Sequence, residues 1–283
     1  MGIRLVYGLK TSDVSYLEEF YPSRRLAEAA RALGLDYAAT VFPPGAGPAR
    51  IEAFCRGHVA LLRGELPLTL YEGLEAAGAR VVNSASSTAL AADKLLAARR
   101  FAEIGADHPR TVAIDPAGTA PPLAYPFVAK PRFGKMGRGV ALIDSDMAWA
   151  AFLRERGAVE FIAQDYIAPS RGRDVRFFFA DFGEDTVAVV ERRSAVLASN
   201  AHAGGAMEPF VPPAGLRLEA ERIFRQSGLD YGTVDFLFAD DAGASFAVCE
   251  TNACPGFEAL ELSSGLDAAK AILRAALGAG GAS

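Results

Sequence analysis

The chain has 283 residues, 51% hydrophobic and 22% charged, with 29 Lys+Arg against 34 Asp+Glu for a formal charge of −5. That composition excludes a disordered chain, and a chain of this length buries a sizeable core without disulfide or metal staples. No uncharged apolar run approaches the roughly 18 residues of a membrane span, no Lys/Arg block is offered to nucleic acid or a membrane, and Cys55, Cys249 and Cys254 form no CxxC pair and read as buried thiols of a cytoplasmic protein.

Strand and helix alternate through the first third. Strands are expected over 3–8, 37–42, 59–63 and 80–82, with helices over 24–33 and 68–77 stopped by Gly34 and Gly78. This is the pattern of a small parallel α/β unit. A helix over 93–104 ends at Gly105. Strands over 111–114, 127–130 and 139–143 then follow with no helix-length segment between them, so they read as an antiparallel sheet. A helix over 146–156 and a strand over 161–167 complete this part. The last third starts with two runs, 174–182 and 186–193, that form a hairpin around Gly183-Glu184-Asp185. A helix over 216–226 precedes a second hairpin, 233–239 with 245–251, and the last helix spans 267–277. The fold class is α/β (α+β). The organisation read from this order is an N-terminal unit over 1–88, a central one over 89–165, a C-terminal one over 166–277 and a tail over 278–283.

Four constellations carry chemistry. The first is a strand ending in Lys130, followed by Pro131-Arg132-Phe133-Gly134-Lys135-Met136-Gly137-Arg138-Gly139. Glycines let backbone N–H groups approach an anion and Lys130 adds a point charge; an ordinary glycine-rich hairpin is the alternative. It is neither a P-loop nor a dinucleotide fingerprint, since Gly139 leads into a strand. The second is Asp235 with Glu250 and Asn252. The last two lie two apart on one strand face, so pairing of the strands makes three hard oxygen donors converge, a set that suits Mg²⁺; polar residues on half-buried strands are the alternative. The third is Asp174 and Arg176 with Glu191, Arg192 and Arg193, suited to a polyphosphate or a charged transition state, or else to cross-strand ion pairing. The fourth is Ser199-Asn200-Ala201-His202-Ala203-Gly204-Gly205, a loop suited to closing over a ligand.

In this order the strings resemble the RimK-like branch of the ATP-grasp carboxylate–amine ligases. The match runs from about Asn83 to Leu277 through Asn83-Ser84, Asp93-Lys94, Val128-Ala129-Lys130, Gln164-Asp165-Tyr166-Ile167, Asp174-Val175-Arg176, Glu191-Arg192-Arg193, Ser199-Asn200, Val234-Asp235-Phe236 and Glu250-Thr251-Asn252-Ala253-Cys254-Pro255-Gly256. The resemblance implies an ATP-grasp fold: an N-terminal parallel subdomain, a small central lid subdomain and a C-terminal antiparallel sheet with helices. It implies a ligase that joins a carboxylate, such as that of glutamate, to an amine with ATP and Mg²⁺ (or Mn²⁺), through an acyl phosphate. Its partners would be a small-molecule carboxylate and an amino acid, coenzyme or peptide acceptor, with neither nucleic acid nor membrane; a homo-oligomer is compatible with it.

Carried over, Lys94 and Lys130 would contact phosphates, and Gln164, Asp165, Tyr166 and Ile167 would form the adenine hinge. Asp174 would hold the ribose or nearby polar groups, and Ser199 and Asn200 would face the phosphate and acyl group. Asp235, Glu250 and Asn252 would bind Mg²⁺. Arg63, Arg176, Arg192 and Arg193 would serve the carboxylate or acyl phosphate, and His202 and Gly204 the substrate side. The chain departs from the family at Asp165, where glutamate is usual, and at Ala198, where a basic residue is usual. Other ATP-grasp chemistry, such as a dipeptide or D-amino acid ligase, and a non-catalytic nucleotide-binding protein are the alternatives.

Overall fold

Strand β1 (Ile3–Gly8) is buried at five of its six positions, as a strand covered on both faces must be. In the computed structural model, which describes residues 2–134, 137–180, 186–195, 197 and 205–278, β1 is followed by α1 (Tyr16–Glu19), α2 (Tyr21–Ala32), β2 (Tyr37–Phe42), α3 (Ala49–Cys55), β3 (Val59–Gly64), α4 (Leu68–Ala76) and β4 (Arg80–Val82). The four strands form a parallel sheet in the order β2-β1-β3-β4. The chain leaves β1 toward β2 and then crosses to β3 on the other side, which places the topological switch point between β1 and β3. The carboxyl ends of these strands lie against each other: Gly64 has φ +86°, and a Cβ there would strike the Gly8 carbonyl oxygen. Only glycine fits that contact and that backbone conformation.

Two helices connect this sheet to the next part of the chain, α5 (Ala85–Ala92) and α6 (Lys94–Glu103). The Ser84 side chain caps α5 and the Asp93 carboxylate caps α6, accepting from Leu95 and Leu96 N–H. A four-stranded antiparallel sheet follows, built from β5 (Thr111–Ala113), β6 (Phe127–Pro131), β7 (Ala141–Ile143) and β8 (Phe161–Asp165) in the order β5-β8-β6-β7. Helix α7 (Asp146–Glu155) supplies Trp149 and Phe152 to a core with Phe127 and Phe161.

The last sheet is antiparallel, with the order β11-β10-β9-β12-β13. Its strands are β9 (Arg173–Phe179), β10 (Val187–Arg193), β11 (Ala206–Pro209), β12 (Gly232–Phe238) and β13 (Phe246–Asn252). One face packs Phe177, Phe179, Phe236 and Val248 against α8 (Ala214–Ser227) and Phe101 of α6. The other face turns Phe178, Ala188 and Val190 toward α9 (Glu258–Ser264) and α10 (Ala268–Leu277), in a core shared with β1, β3 and α2.

Helices α1, α3, α5 and α9 and strand β11 have no counterpart among the expected elements. At seven residues α3 and α9 are too short to show a helical period, and the Ala-Ser-Ser-Thr-Ala-Leu-Ala-Ala sequence of α5 has no apolar stripe. The strand expected over 161–167 stops at Asp165. Among the described residues no helix is long and apolar enough to cross a membrane.

Candidate active site

Strand alternation decides what the last sheet presents to the cleft. In the β12–β13 register Asp235 lies opposite Glu250 and Thr233 opposite Asn252. Across β9, Asp235 lies opposite Arg176, and across β10 Asp174 lies opposite Arg192. Partners directly opposite share a face, so Asp174, Arg176, Arg192, Thr233, Asp235, Glu250 and Asn252 form one polar surface. Strands β12 and β13 are also close here, since a Cβ on Gly232 would come within 2.6 Å of Asn252 O.

Asp235 is 1% exposed and accepts three charge-assisted hydrogen bonds. Arg176 donates through Nε to Oδ1 at 2.8 Å and through Nη2 to Oδ2 at 2.6 Å, and Arg192 Nη2 donates to Oδ2 at 2.8 Å. Arg192 also forks onto Asp174, at 2.7 and 2.6 Å. Burial works to raise the Asp235 pKa, but Arg176 and Arg192 overcome it and hold the carboxyl below its ordinary value. The neighbouring Arg193 faces the other way by the same alternation and pairs with Glu191 at 3.0 Å, with its side chain 60% exposed.

The smaller sheet faces this surface with Lys130 and Gln164. Lys130 Nζ donates to Gln164 Oε1 at 2.8 Å and lies 3.7 Å from Cys249 Sγ; Gln164 Nε2 donates to Thr111 Oγ1 at 2.9 Å. Lys94, at the start of α6, donates to the Gly134 carbonyl at 2.6 Å. Arg132, at the root of the glycine loop, forks onto the α6 cap Asp93 at 2.9 and 2.6 Å. Burial lowers the Lys94 pKa; Lys130 acts in the same direction and Glu250 opposes it. Burial pushes the Cys249 thiol up to about 11, with Lys130 opposing. Lys94 and Cys249 thus both feel Lys130 and Glu250, and the contact of Lys130 with Cys249 brings that lysine to β13 directly beside Glu250.

Arg63, at the end of β3, is 1% exposed. It donates to Tyr231 Oη at 2.9 Å and to the Pro255 carbonyl at 2.7 Å, and its guanidinium lies over the Tyr231 and Phe257 rings. Its Nε has no partner, and no carboxylate of the described residues pairs with it. Tyr231 directly precedes β12, four residues before Asp235, so Arg63 meets the chain ahead of the strand that carries the carboxylate cluster.

The structure therefore brings together Lys94, Lys130, Gln164, Asp174, Arg176, Arg192, Asp235, Glu250 and Asn252. Asp165, Tyr166 and Ile167 are half-buried at and just beyond the end of β8, with Asp165 3.7 Å from Arg110. Arg193 lies on the opposite face, and Arg63 lies apart under the parallel sheet's carboxyl edge. Ser199, Asn200, His202 and Gly204 lie outside the described residues, as do Lys135 and Met136 of the glycine loop and the turn at 183–185. Two site residues were not foreseen from sequence, Cys249 beside Lys130 and Thr233 beside Asp235. For Cys249 the signal was its place directly before Glu250.

A divalent cation fits the donor set. Asp235, Glu250 and Asn252 offer hard oxygens on one face, and the Glu250 carboxylate accepts no hydrogen bond from the described residues. The fully buried Thr233 hydroxyl is an orphan in the same place. It lies near enough to Asp235 to help hold that carboxyl down, yet it makes no hydrogen bond of ordinary geometry. No three His, Cys, Asp or Glu side chains group as metal ligands among the described residues; the set here is two carboxylates and an amide. A buried hydroxyl without a partner destabilises by about 1–3 kcal/mol. The nearly isosteric Thr233→Val is therefore expected to raise the thermal midpoint by about 2–12 °C, at about 2–4 °C per kcal/mol, as followed by calorimetry. A lower midpoint would show that the hydroxyl is bonded in the folded protein.

A family model described as the RimK-like ATP-grasp domain matches residues 85–276. The chain belongs to the RimK-like ATP-grasp family. It is 32% identical over 227 residues to the ribosomal protein bS6–L-glutamate ligase of Escherichia fergusonii, covering 77% of this chain and 73% of that protein. It is 29% identical over 296 aligned residues to a probable alpha-L-glutamate ligase of Stenotrophomonas maltophilia, covering 94% and 97%. Among solved structures it resembles a RimK-domain ATP-grasp protein of Sphaerobacter thermophilus, with a TM-score of 0.69, 25% identity and coverage of 97% and 100%. The D-alanine–D-alanine ligase of Bacillus anthracis in complex with ATP has a TM-score of 0.72 at 15% identity, covering 98% and 97%, and shows the shared fold. The ATP-grasp architecture expected from the sequence is thus borne out, and ligases of this family are this chain's relatives.

Proposed function

We propose that this ATP-grasp ligase joins a carboxylate, such as that of glutamate, to an amine through an acyl phosphate, releasing ADP and phosphate. The observation that carries the reading is the meeting of Lys94 and Lys130 from one side of the cleft with the Asp235, Glu250 and Asn252 surface from the other. Lysines placed this way attract and orient a polyphosphate, and the half-buried setting strengthens their field. Gln164, the first residue of the proposed hinge Gln164–Ile167, bonds to Lys130, which supports a reading in which the base end of the nucleotide would lie beside β8 and its outer phosphates toward β12 and β13. Asp235, Glu250 and Asn252 would hold Mg²⁺, which when bound neutralises charge on the phosphates.

The substrate carboxylate oxygen attacks the γ-phosphorus, and the bond from that phosphorus to the β–γ bridging oxygen breaks, releasing ADP. The amine nitrogen then attacks the acyl carbon, phosphate leaves with the carbon–oxygen bond electrons, and the amine gives up a proton to solvent. Arg176 and Arg192 stand where charge accumulates in both steps. Substrate entry fits the crevice outside the carboxyl ends of β1 and β3, at the switch point. Arg63 lies beneath it with no carboxylate of the described chain to absorb its charge, so its field favours an incoming anion. The relatives named as glutamate ligases support an amino-acid donor.

The test is a screen for ADP release with ATP and Mg²⁺ over amino acids, singly and in pairs, with the products identified. ADP and phosphate released in step with a new amide are expected. Stoichiometric AMP would overturn the acyl-phosphate route, and no amine-dependent turnover would favour a nucleotide-binding role.

A further inference from the structure

We propose that Arg192 and a divalent cation compete for the Asp235 carboxylate, so that a ligand phosphate and the cation load onto this surface cooperatively. The proposal rests on the assignment of Asp235 to the cation site. A carboxylate offers about four lone-pair positions, and three hydrogen bonds already converge on Asp235, two of them on Oδ2. A cation that approaches from the Glu250 side must share those oxygens with guanidinium groups.

The two arginines are not equivalent in this competition. Arg176 spends both of its bonds on Asp235. Arg192 gives Asp235 a single bond and Asp174 two. Arg192 can therefore release Asp235 and stay paired with Asp174, whereas Arg176 pairs with no second carboxylate among the described residues. A phosphate oxygen is a good alternative acceptor for a guanidinium fork. When it draws the free edge of Arg192 away, Oδ2 regains a lone pair and the local positive charge falls. Cation affinity then rises, and by linkage the bound cation raises phosphate affinity by the same factor.

The experiment titrates Mn²⁺ into the full-length protein without nucleotide, read by electron paramagnetic resonance, for wild type, Arg192→Lys, Arg192→Gln and Asp235→Asn. Thermal melts establish that each variant is folded. Arg192→Lys keeps the net charge but loses the fork, so bulk electrostatics cannot account for a change. It is expected to bind Mn²⁺ about tenfold more tightly than wild type, the scale of one charge-assisted hydrogen bond removed from the competition, and Arg192→Gln more tightly still. Asp235→Asn is expected to lose the site. Equal affinity in wild type and folded Arg192→Lys, with binding lost in Asp235→Asn, would overturn the competition and leave the cation site standing. Mn²⁺ binding untouched by Asp235→Asn would overturn both. If Arg192→Gln does not fold, Arg192→Lys decides alone.

Discussion

Asp235→Asn is expected to lower turnover by about 10²–10³-fold, the scale of one lost electrostatic contact in a preorganised site, and to destabilise the protein by about 3–5 kcal/mol, the scale of a broken buried ion pair. The two effects have one origin. Asp235 is buried and neutralises Arg176 and Arg192 together; an amide of the same shape leaves both guanidiniums uncompensated and turns N–H donors toward N–H donors. At about 2–4 °C per kcal/mol for a chain of this size, the midpoint should fall by about 10 °C. Turnover is therefore measured well below that midpoint, where the variant is folded. The stability gap also depends on pH. The folded-state pKa of Asp235 lies below its ordinary value, so its contribution is present above about pH 4 and is lost as the pH falls through the folded value. Melts of wild type and variant should converge on acidification. A variant as stable and as active as wild type would remove Asp235 from the centre of the site.

How much of this was legible in the sequence can be traced strand by strand. Alternation within Glu250-Thr251-Asn252 was enough to expect Glu250 and Asn252 on one face of a strand paired with the strand of Asp235, but Asp235 meets Glu250 rather than Cys249 only because the register shifts between Asp235 and Phe236, a bulge that no turn signal announces. The arginine clamp was not legible, because it depends on β9 lying beside β12, and helix α8 and two strands separate these in the chain. Hairpin logic pairs neighbours in sequence and cannot join two hairpins edge to edge. The difference between Arg192 and Arg193 was available, since adjacent strand residues point to opposite faces, and the structure places only Arg192 with Asp235. The orphaned hydroxyl of Thr233 could not be read at all, because a threonine in a strand ordinarily finds a neighbour.

Lys130→Ala is expected to weaken nucleotide binding by about 10–100-fold, as loss of a charge-assisted hydrogen bond does, with little loss of stability. Lys130 Nζ rests on Gln164 Oε1, and Gln164 keeps its second bond to Thr111 without it. Lys94, which donates to the Gly134 carbonyl at the root of the glycine loop, remains in the variant to meet the phosphates, so the loss stops short of abolition. Calorimetric titration with a non-hydrolysable ATP analogue checks the affinity, and a melt checks the fold. Lys130→Met, which keeps the apolar stem, should behave like the alanine variant if the charge is what matters. Unchanged affinity in both would assign Lys130 to holding Gln164.

The core that α10 closes has a consequence for how the chain is made. β1 and β3, which are made some two hundred residues before α10, bury Ile3, Leu5, Val59 and Leu61 together with Ala269, Ile272 and Leu273 of that helix. Synthesis of the residues between takes on the order of tens of seconds, and throughout that time this face of the parallel sheet is covered only in part, by Leu17, Leu26, Ala29 and Ala30 of α1 and α2. The parallel sheet is thus made before the two antiparallel sheets, and its core is completed only with α10. The smaller antiparallel sheet, whose core draws only on residues between Val112 and Ala163, is free to finish first. Premature termination before residue 268 would leave a chain whose central sheet is folded and whose first strands present an apolar surface to chaperones and proteases.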